Sequence, residues 1–512
     1  IPGYRRLMTV DNMLENKKSD AGAPSEDLPA ATQPLPYSSF TVWQKRWILF
    51  LSAFAAMFSP MSSFIFYPAI TSIAEDLHTT VSKIDLAITT YMVVSGVTPA
   101  ILGGAADNMG RRPVYIVALS IFLAANIGLA LQSNYTSLLI LLMVQSAGVE
   151  THADGIKARS HLAMVSLVIL LVHLKGDFMS HNYSPNVAPP LGPVLGGIVT
   201  SQLNWQWVFW IIAILGGFCL LLVILTLPDT ARSIIGDGSI SAGRIYRPLI
   251  HSMRVANNKA VTHQHKPRFI FPNPISCLQL LFFKDIFIVL LCNGIYYATY
   301  CCVQATLASL FVDTYGYHEL QAGLIYIPFG FGCLAATYSW GRLLNHGYAR
   351  IRKLRGSGIA EIAATDCHND DFPIEEARLR SCFYLVGVTT ASVIAYGWMV
   401  GFHVHVAAPL VLQTIIGYAI TGLFGALGTL LTDLNPSQSS TAAASANIVR
   451  CSLAAASLAV VQIVIDAVGV GWCFTILGLL SGCCGPLLLL EMKQGQTWRM
   501  RRKSNTPHEE TL

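Results

Sequence analysis

Apolar residues in this chain form long runs rather than the short periodic stripes of a water-soluble fold. Ten runs, at 47–70, 84–106, 113–132, 205–227, 286–312, 322–344, 382–401, 407–431, 442–465 and 472–491, each suit one helix through a membrane. A helix of ~20 residues crosses ~30 Å of hydrocarbon. The pattern predicts an all-α membrane protein.

Two further spans are expected from shorter pieces. Residues 136–148 are apolar before Glu150, His152, Asp154, Lys157 and Arg159 interrupt. Residues 161–174 form a second short run, and 187–203 a third, crowded with Pro189, Pro190 and Pro193. These pieces supply spans four and five and complete a set of twelve helices in two six-helix bundles.

Composition agrees. Of 512 residues 53% are apolar and 12% charged, about half the ~25% charge of a soluble domain. The net charge of +5 lies in loops between apolar runs rather than on one basic face, so no nucleic-acid partner is implied. The 12 Cys lie mostly inside apolar runs, without the paired spacing of a zinc site or a disulfide framework. No metal and no cofactor are expected.

The basic residues also predict orientation. With twelve spans and an inside N-terminus, Arg111, Arg112, Arg232, Arg244, Arg350, Arg352, Arg378, Arg380, Arg499 and Arg502 all fall on the cytoplasmic side, and only Lys83 falls outside. This is the positive-inside bias. Residues 1–42 read as a disordered cytosolic tail, 43–227 as an N-terminal six-helix bundle and 228–284 as a cytoplasmic linker. Residues 285–491 read as a C-terminal bundle and 492–512 as a cytosolic tail.

Between the second and third runs lie Gly103, Asp107, Gly110, Arg111, Arg112 and Pro113, in the spacing G-x-x-x-D-x-x-G-R-R-P. Gly103 allows a neighbouring helix close, Asp107 ends the span and Gly110 makes a sharp turn. Arg111 and Arg112 are expected to stay in water, and Pro113 suits a first helical turn. Gly341, Arg342 and Asn345 give a weaker echo in the second half.

With these residues in view, the chain resembles the major facilitator superfamily, in its twelve-span drug:proton antiporter family. The Gly103–Pro113 knot resembles the loop 2–3 signature, and Gly192, Pro193, Gly196 and Gly197 resemble the antiporter motif of span five. Asn204 to Trp207, Leu227 to Arg232, Phe372 to Arg380 and Asp433 to Pro436, followed by Ala446 to Arg450, resemble a fungal quinidine-resistance-like branch. In that family span four carries an Arg where this chain has Leu142, before Gln145 and Gly148, and residues 149–183 match nothing in the pattern. The resemblance implies that Asp107 meets the start of span eleven, near residues 435–439, as a conformational gate.

Candidate cavity residues follow from helical periodicity. Asn293, Tyr297, Tyr300 and Gln304 share one face of span seven, where aromatic rings and amides suit an amphipathic molecule or, equally, interhelical hydrogen bonds. Phe66, Tyr67, Tyr91, Gln413, Tyr418 and Asn447 are further candidates. Arg450 is the one charge deep in span eleven, facing a cavity, snorkelling, or pairing with Asp433 or Asp107. Proton coupling asks for a buried carboxylate; spans one, two and seven offer none in their interiors by this reading, and Glu150 and Asp154 are the nearest.

The expected function is export of small amphipathic compounds, such as drugs, toxins or secondary metabolites, by proton antiport and alternating access. The proton gradient supplies the energy, and the protein is a monomer in the plasma membrane with both termini cytoplasmic. Uptake by the same fold, or loss of transport through residues 149–183, are the alternatives. No nucleophile with a base, metal spacing or nucleotide loop suggests an enzyme.

Overall fold

The computed structural model describes residues 42–154, 188–229, 274–354, 373–435 and 439–505. The expected N-terminal tail, the run at 161–174, most of the linker and Asp366 to Phe372 lie outside the described residues. No strand occurs among the described residues. The reason is physical: inside a bilayer only helices and closed barrels satisfy every backbone group.

Six helices form the first half: α1 Val42–Phe64, α2 Val81–Met109, α3 Arg111–Leu131, α4 Tyr135–Asp154, α5 Ala188–Gln202 and α6 Gln206–Thr226. The second half holds α7 Lys284–Tyr315, α8 Ile327–Leu354, α9 Cys382–Gly401, α10 Ala407–Leu434, α11 Ser439–Val468 and α12, in two pieces, Val470–Gly482 and Cys484–Asn505. Short helices at Ile70–Asp76, Pro274–Gln279, Glu319–Leu324 and Ile374–Leu379 connect them. Among the described residues 10 helices are long and apolar enough to cross a membrane, and they fall on the ten predicted runs.

Spans four and five are where the sequence was thinnest. The backbone of α4 continues helically to Asp154, although its apolar part ends at Gly148. Polar contacts fasten it. Gln145 Nε2 donates to Asn126 Oδ1 at 2.7 Å, Asn126 Nδ2 to the Phe122 carbonyl at 2.7 Å, and Ser146 Oγ to the Tyr91 carbonyl at 2.9 Å. Buried amides in an apolar interior need such partners. Gly148 presses α4 directly on α3: a Cβ there would lie 2.7 Å from the Phe122 nitrogen.

Exposure is inverted relative to a soluble protein. Val117, Ile214, Phe218, Leu221, Ile463 and Leu479 point outward while Asn126, Gln145, Gln413 and Asn447 are buried. Such an outer belt fits a lipid surround.

The second piece of α12 continues beyond the apolar run to Asn505, where its arginines meet acids. Arg499 Nε lies 3.2 Å from Glu375 Oε1, and Arg502 Nη2 lies 3.2 Å from Asp285 Oδ2.

Gly148→Ala should force α4 off α3. An overpacked helix contact costs ~1–3 kcal/mol, so the variant should unfold several degrees earlier in a detergent thermal-shift assay.

Candidate functional site

The two halves meet along two seams. In the first, α2 lies on α11. Gly96 faces Cys451, where an added Cβ would stand 2.9 Å from the Cys451 Cβ. Pro99 cannot donate to the carbonyl four residues back, which leaves the Ser95 oxygen open. Asn447 Nδ2 of α11 fills that place at 3.3 Å. Farther toward the linker end, Ala100 packs with Ala444 and Cys277, and Ser445 Oγ donates to the Cys277 carbonyl at 2.8 Å.

The second seam explains the glycine-rich motif of span five. Gly192 and Gly196 press on α1, where a Cβ would stand 2.9 Å from the Met61 oxygen and 1.7 Å from the Ile65 oxygen. Gly197 turns the other way. Its Cβ would stand 2.6 Å from Gly323 Cα in the second half, and a Cβ on Gly323 would lie 3.0 Å from the Pro193 oxygen. Helix backbones here touch without side chains between them, as small residues allow in lipid. This seam lies on the side opposite the linker, where Ser72 Oγ also donates to Glu319 Oε1.

Between the seams lies the predicted face of α7. The rings of Tyr297 and Tyr300 stack at 5.8 Å, and Phe424 of α10 meets Tyr297 edge-on at 6.0 Å. Arg450 lies over the Tyr297 ring, its Cζ 4.5 Å from the centroid, and donates to Asn447 Oδ1. Tyr300 also meets Phe64 of α1 edge-on at 5.6 Å, a contact across the halves. Tyr297 and Arg450 are half-buried, whereas Asn293, Asn447, Tyr300 and Gln304 around them are buried.

The remaining candidates scatter around this cluster. Asn293 lies on the linker side of Tyr297, and Gln304 contributes its carbonyl to the Tyr326 hydroxyl at 2.8 Å. Tyr67 and Tyr91 are buried in the first half. Gln413 is fully buried beside Tyr396 in the second half. Asp433, offered as a partner for Arg450, instead holds Arg378 Nε at 2.9 Å.

The knot at 103–113 is built by its turn. The α2 helix ends at Met109, and Gly110 takes φ 98° and ψ 145°, a conformation open essentially to glycine alone. Asp229 then accepts from the backbone nitrogens of Arg111 at 3.2 Å and Arg112 at 3.4 Å. A carboxylate there satisfies orphan N–H groups and meets the positive end of α3. Arg112 was expected in water but is buried, donating from Nη2 to the Ile224 carbonyl at 2.8 Å. The acid and carbonyl supply what water would have. The Asp107 side chain lies outside the described residues, as do residues 436–438, so the expected contact between them falls outside as well.

The sequence pattern assigns no role to Asp229, Glu375 or Arg378, yet Glu375 and Arg378 tie the short helix Ile374–Leu379 to α12 and α10. Burial pushes the Glu375 carboxyl up, and the Arg499 guanidinium pulls it back. Acids alternating with arginines in one motif are a signal for such ties.

Comparison with known proteins bears directly on this arrangement. The family model for the Major Facilitator Superfamily matches residues 52–152 and 184–365. The chain belongs to that superfamily. It is 34% identical to the MFS-type transporter phiD of Fungal sp. (strain ATCC 74256) over 91% of this chain and 71% of the relative. It is 34% identical to the MFS-type transporter clz19 of Cochliobolus lunatus over 90% and 87%, and 31% identical to Citrate exporter 1 of Aspergillus niger over 95% and 93%. The protein is therefore a multi-pass membrane transporter of small molecules and no enzyme. The break in the family match spans most of the stretch, 149–183, that fits no motif in the sequence.

Gly110→Ala and Asp229→Ala should each weaken the α2–α3 turn. Strained backbone costs ~1–3 kcal/mol and a lost cap ~1 kcal/mol, so both should lower the detergent melting temperature, Gly110→Ala the more.

Proposed function

We propose that this superfamily member exports small amphipathic organic compounds in exchange for protons. It alternates access by rocking its two six-helix halves about the paired seams. The observation that carries this reading is the cluster of Tyr297, Tyr300, Phe424 and Arg450 between the seams. Stacked rings offer area and π-contact to a bulky molecule, and Asn447 and Arg450 orient its polar end. The basic loops support a cytoplasmic linker and cytoplasmic termini, and export loads its cargo from the cytosol.

Several parts of this reading rest on the sequence. The protein acts as a monomer in the plasma membrane, needs no cofactor or metal beyond the proton gradient, and divides at 43–227, 228–284 and 285–491. Gly103, Asp107, Gly110, Arg111 and Arg112 act as the inner gate rather than as a substrate site. Gly192, Pro193, Gly196 and Gly197 close the outer side.

A second reading is favoured by Arg450, which gives the aromatic cluster a cation suited to a carboxylate. It makes the cargo an organic acid, a class represented by a relative named as a citrate exporter.

The test uses yeast lacking its own exporters and a panel of fluorescent cations, neutral aromatics and radiolabelled citrate. Expression should lower accumulation of the preferred class, and a protonophore should abolish the difference. Tyr297→Ala should raise KM about tenfold, equivalent to loss of an aromatic and cation–π contact of ~1.4 kcal/mol. Arg450→Gln should abolish citrate export and spare cation export. Accumulation equal to an empty vector for every compound would sink the proposal.

A further inference from the structure

A second feature lies at the opposite end of the first seam, away from the Tyr297 cluster. There the start of α2 faces α7 and α11 across a cavity lined by Tyr67, Thr71, Asp85, Thr306, Ser309 and Gln462, with Ala305, Val312, Leu458 and Val461 as its apolar wall. Its free volume of about 20 Å³ holds a water molecule and no organic cargo. Both halves contribute walls, so the cavity changes whenever the seam opens.

Two polar groups in it lack partners. The Asp85 carboxylate is half-buried and makes no side-chain hydrogen bond or ion pair among the described residues. The Tyr67 side chain is only 1% exposed and its hydroxyl has no hydrogen-bond partner. Sequence reading passed over Asp85 because it lies one residue inside the predicted edge of span two, at 84.

The other charged groups on the surrounding elements are directed elsewhere. Asp76 on the short helix after α1 accepts from Trp205 Nε1 at 2.8 Å, and Asp466 on α11 accepts from Gln462 Nε2 at 2.9 Å. Glu75, Lys83 on α2 itself and Asp313 on α7 are exposed. Tyr135 of α4 donates to the Lys83 carbonyl at 3.0 Å. Tyr67 is the titratable group that faces Asp85 from the packed interior.

We propose that Asp85 is the site where a proton from the side opposite the linker binds, and that its neutralisation permits the seam to close. In the open seam the ionised carboxylate is hydrated by bulk water. Closure leaves space for one water beside an apolar wall, which is costly for a charge without a cationic partner. One proton from external water converts the carboxylate to the acid, which can donate to Thr71, Thr306, Ser309 or Gln462, and no other bond changes. The step rests on the cytoplasmic placement of the linker and the proton coupling proposed above, and it assigns the coupling residue that the sequence left open.

The test reads seam opening without any transported compound. The full chain carrying Ser309→Cys is placed in right-side-out vesicles and labelled with a membrane-impermeant maleimide between about pH 5 and about pH 8. The chain without the reporter supplies the background, and the same reporter with Asp85→Asn corrects for thiol ionisation. With Asp85 present, labelling should rise about threefold or more beyond the Asp85→Asn response as pH increases, while the Asp85→Asn reporter stays slow throughout. Asp85→Glu should keep the extra pH response, which covers the case in which Asp85→Asn fails to fold. Equal pH responses in the Asp85 and Asp85→Asn reporters, or no extra response in Asp85→Glu when Asp85→Asn does not fold, would overturn the assignment. So would labelling that follows sodium concentration rather than pH. Failure of export with this labelling response intact would count against the transport reading alone.

Discussion

Two bundles of helices in lipid gain little from hydrophobic association, since lipid tails are as apolar as leucine. What holds these halves together is close approach of backbones at small residues. Gly96 on Cys451 and Gly197 on Gly323 are the contacts on which the rest depends. Each joins a helix of the first half to one of the second: α2 to α11, and α5 to the short helix that leads into α8. The two pairs correspond when the halves are exchanged, as expected of a fold built from a repeat about an axis along the membrane normal. A contact of this kind leaves no bulky side chains to disentangle when the halves rock.

Around the seams, polar groups divide by role. Asn447 fills the backbone acceptor that Pro99 leaves open, and so ties the proline of α2 to α11. Asp229 caps α3 behind the turn at Gly110. On the same side of the second half, Asp285, Glu375 and Asp433 hold Arg502, Arg499 and Arg378. Arg502 also reaches the Leu434 carbonyl at 3.0 Å and Asn435 Oδ1 at 3.2 Å, at the end of α10 just before α11 begins. The charges on the linker side thus fix helix ends, while the centre keeps rings and a single arginine over Tyr297.

Legibility differed between fold and site. The ten long runs were plain because a membrane span needs nearly unbroken apolar sequence, and each emerged as a helix. Spans four and five were faint because charged residues from Glu150 onward cut the first apolar run short and prolines crowd the run at 187–203. The contacts that fasten span four, Gln145 on Asn126 and Gly148 on Phe122, join it to another helix. The α7 face was readable from spacing, since offsets of four, three and four residues bring side chains to one side of a helix. Asp85 was missed for the same positional reason that gives it access to water: it lies at a span's end. Arg112 was misjudged because its partners, Asp229 and the Ile224 carbonyl, lie more than a hundred residues away.

By itself, the sequence determined that the chain is a multi-pass helical membrane protein, where its long spans lie, and which motifs mark it as a major facilitator. Those properties depend on local composition and on short fixed spacings. Only the tertiary structure decided that Gly192 and Gly196 serve the first half while Gly197 serves the seam, and that Arg450 lies over Tyr297 while Asp433 holds Arg378. It alone showed that Asp85 shares a cavity with Tyr67, Ser309 and Gln462. Each of these is a contact between residues distant in the chain, and helical periodicity fixes the face a side chain occupies without fixing what that face meets.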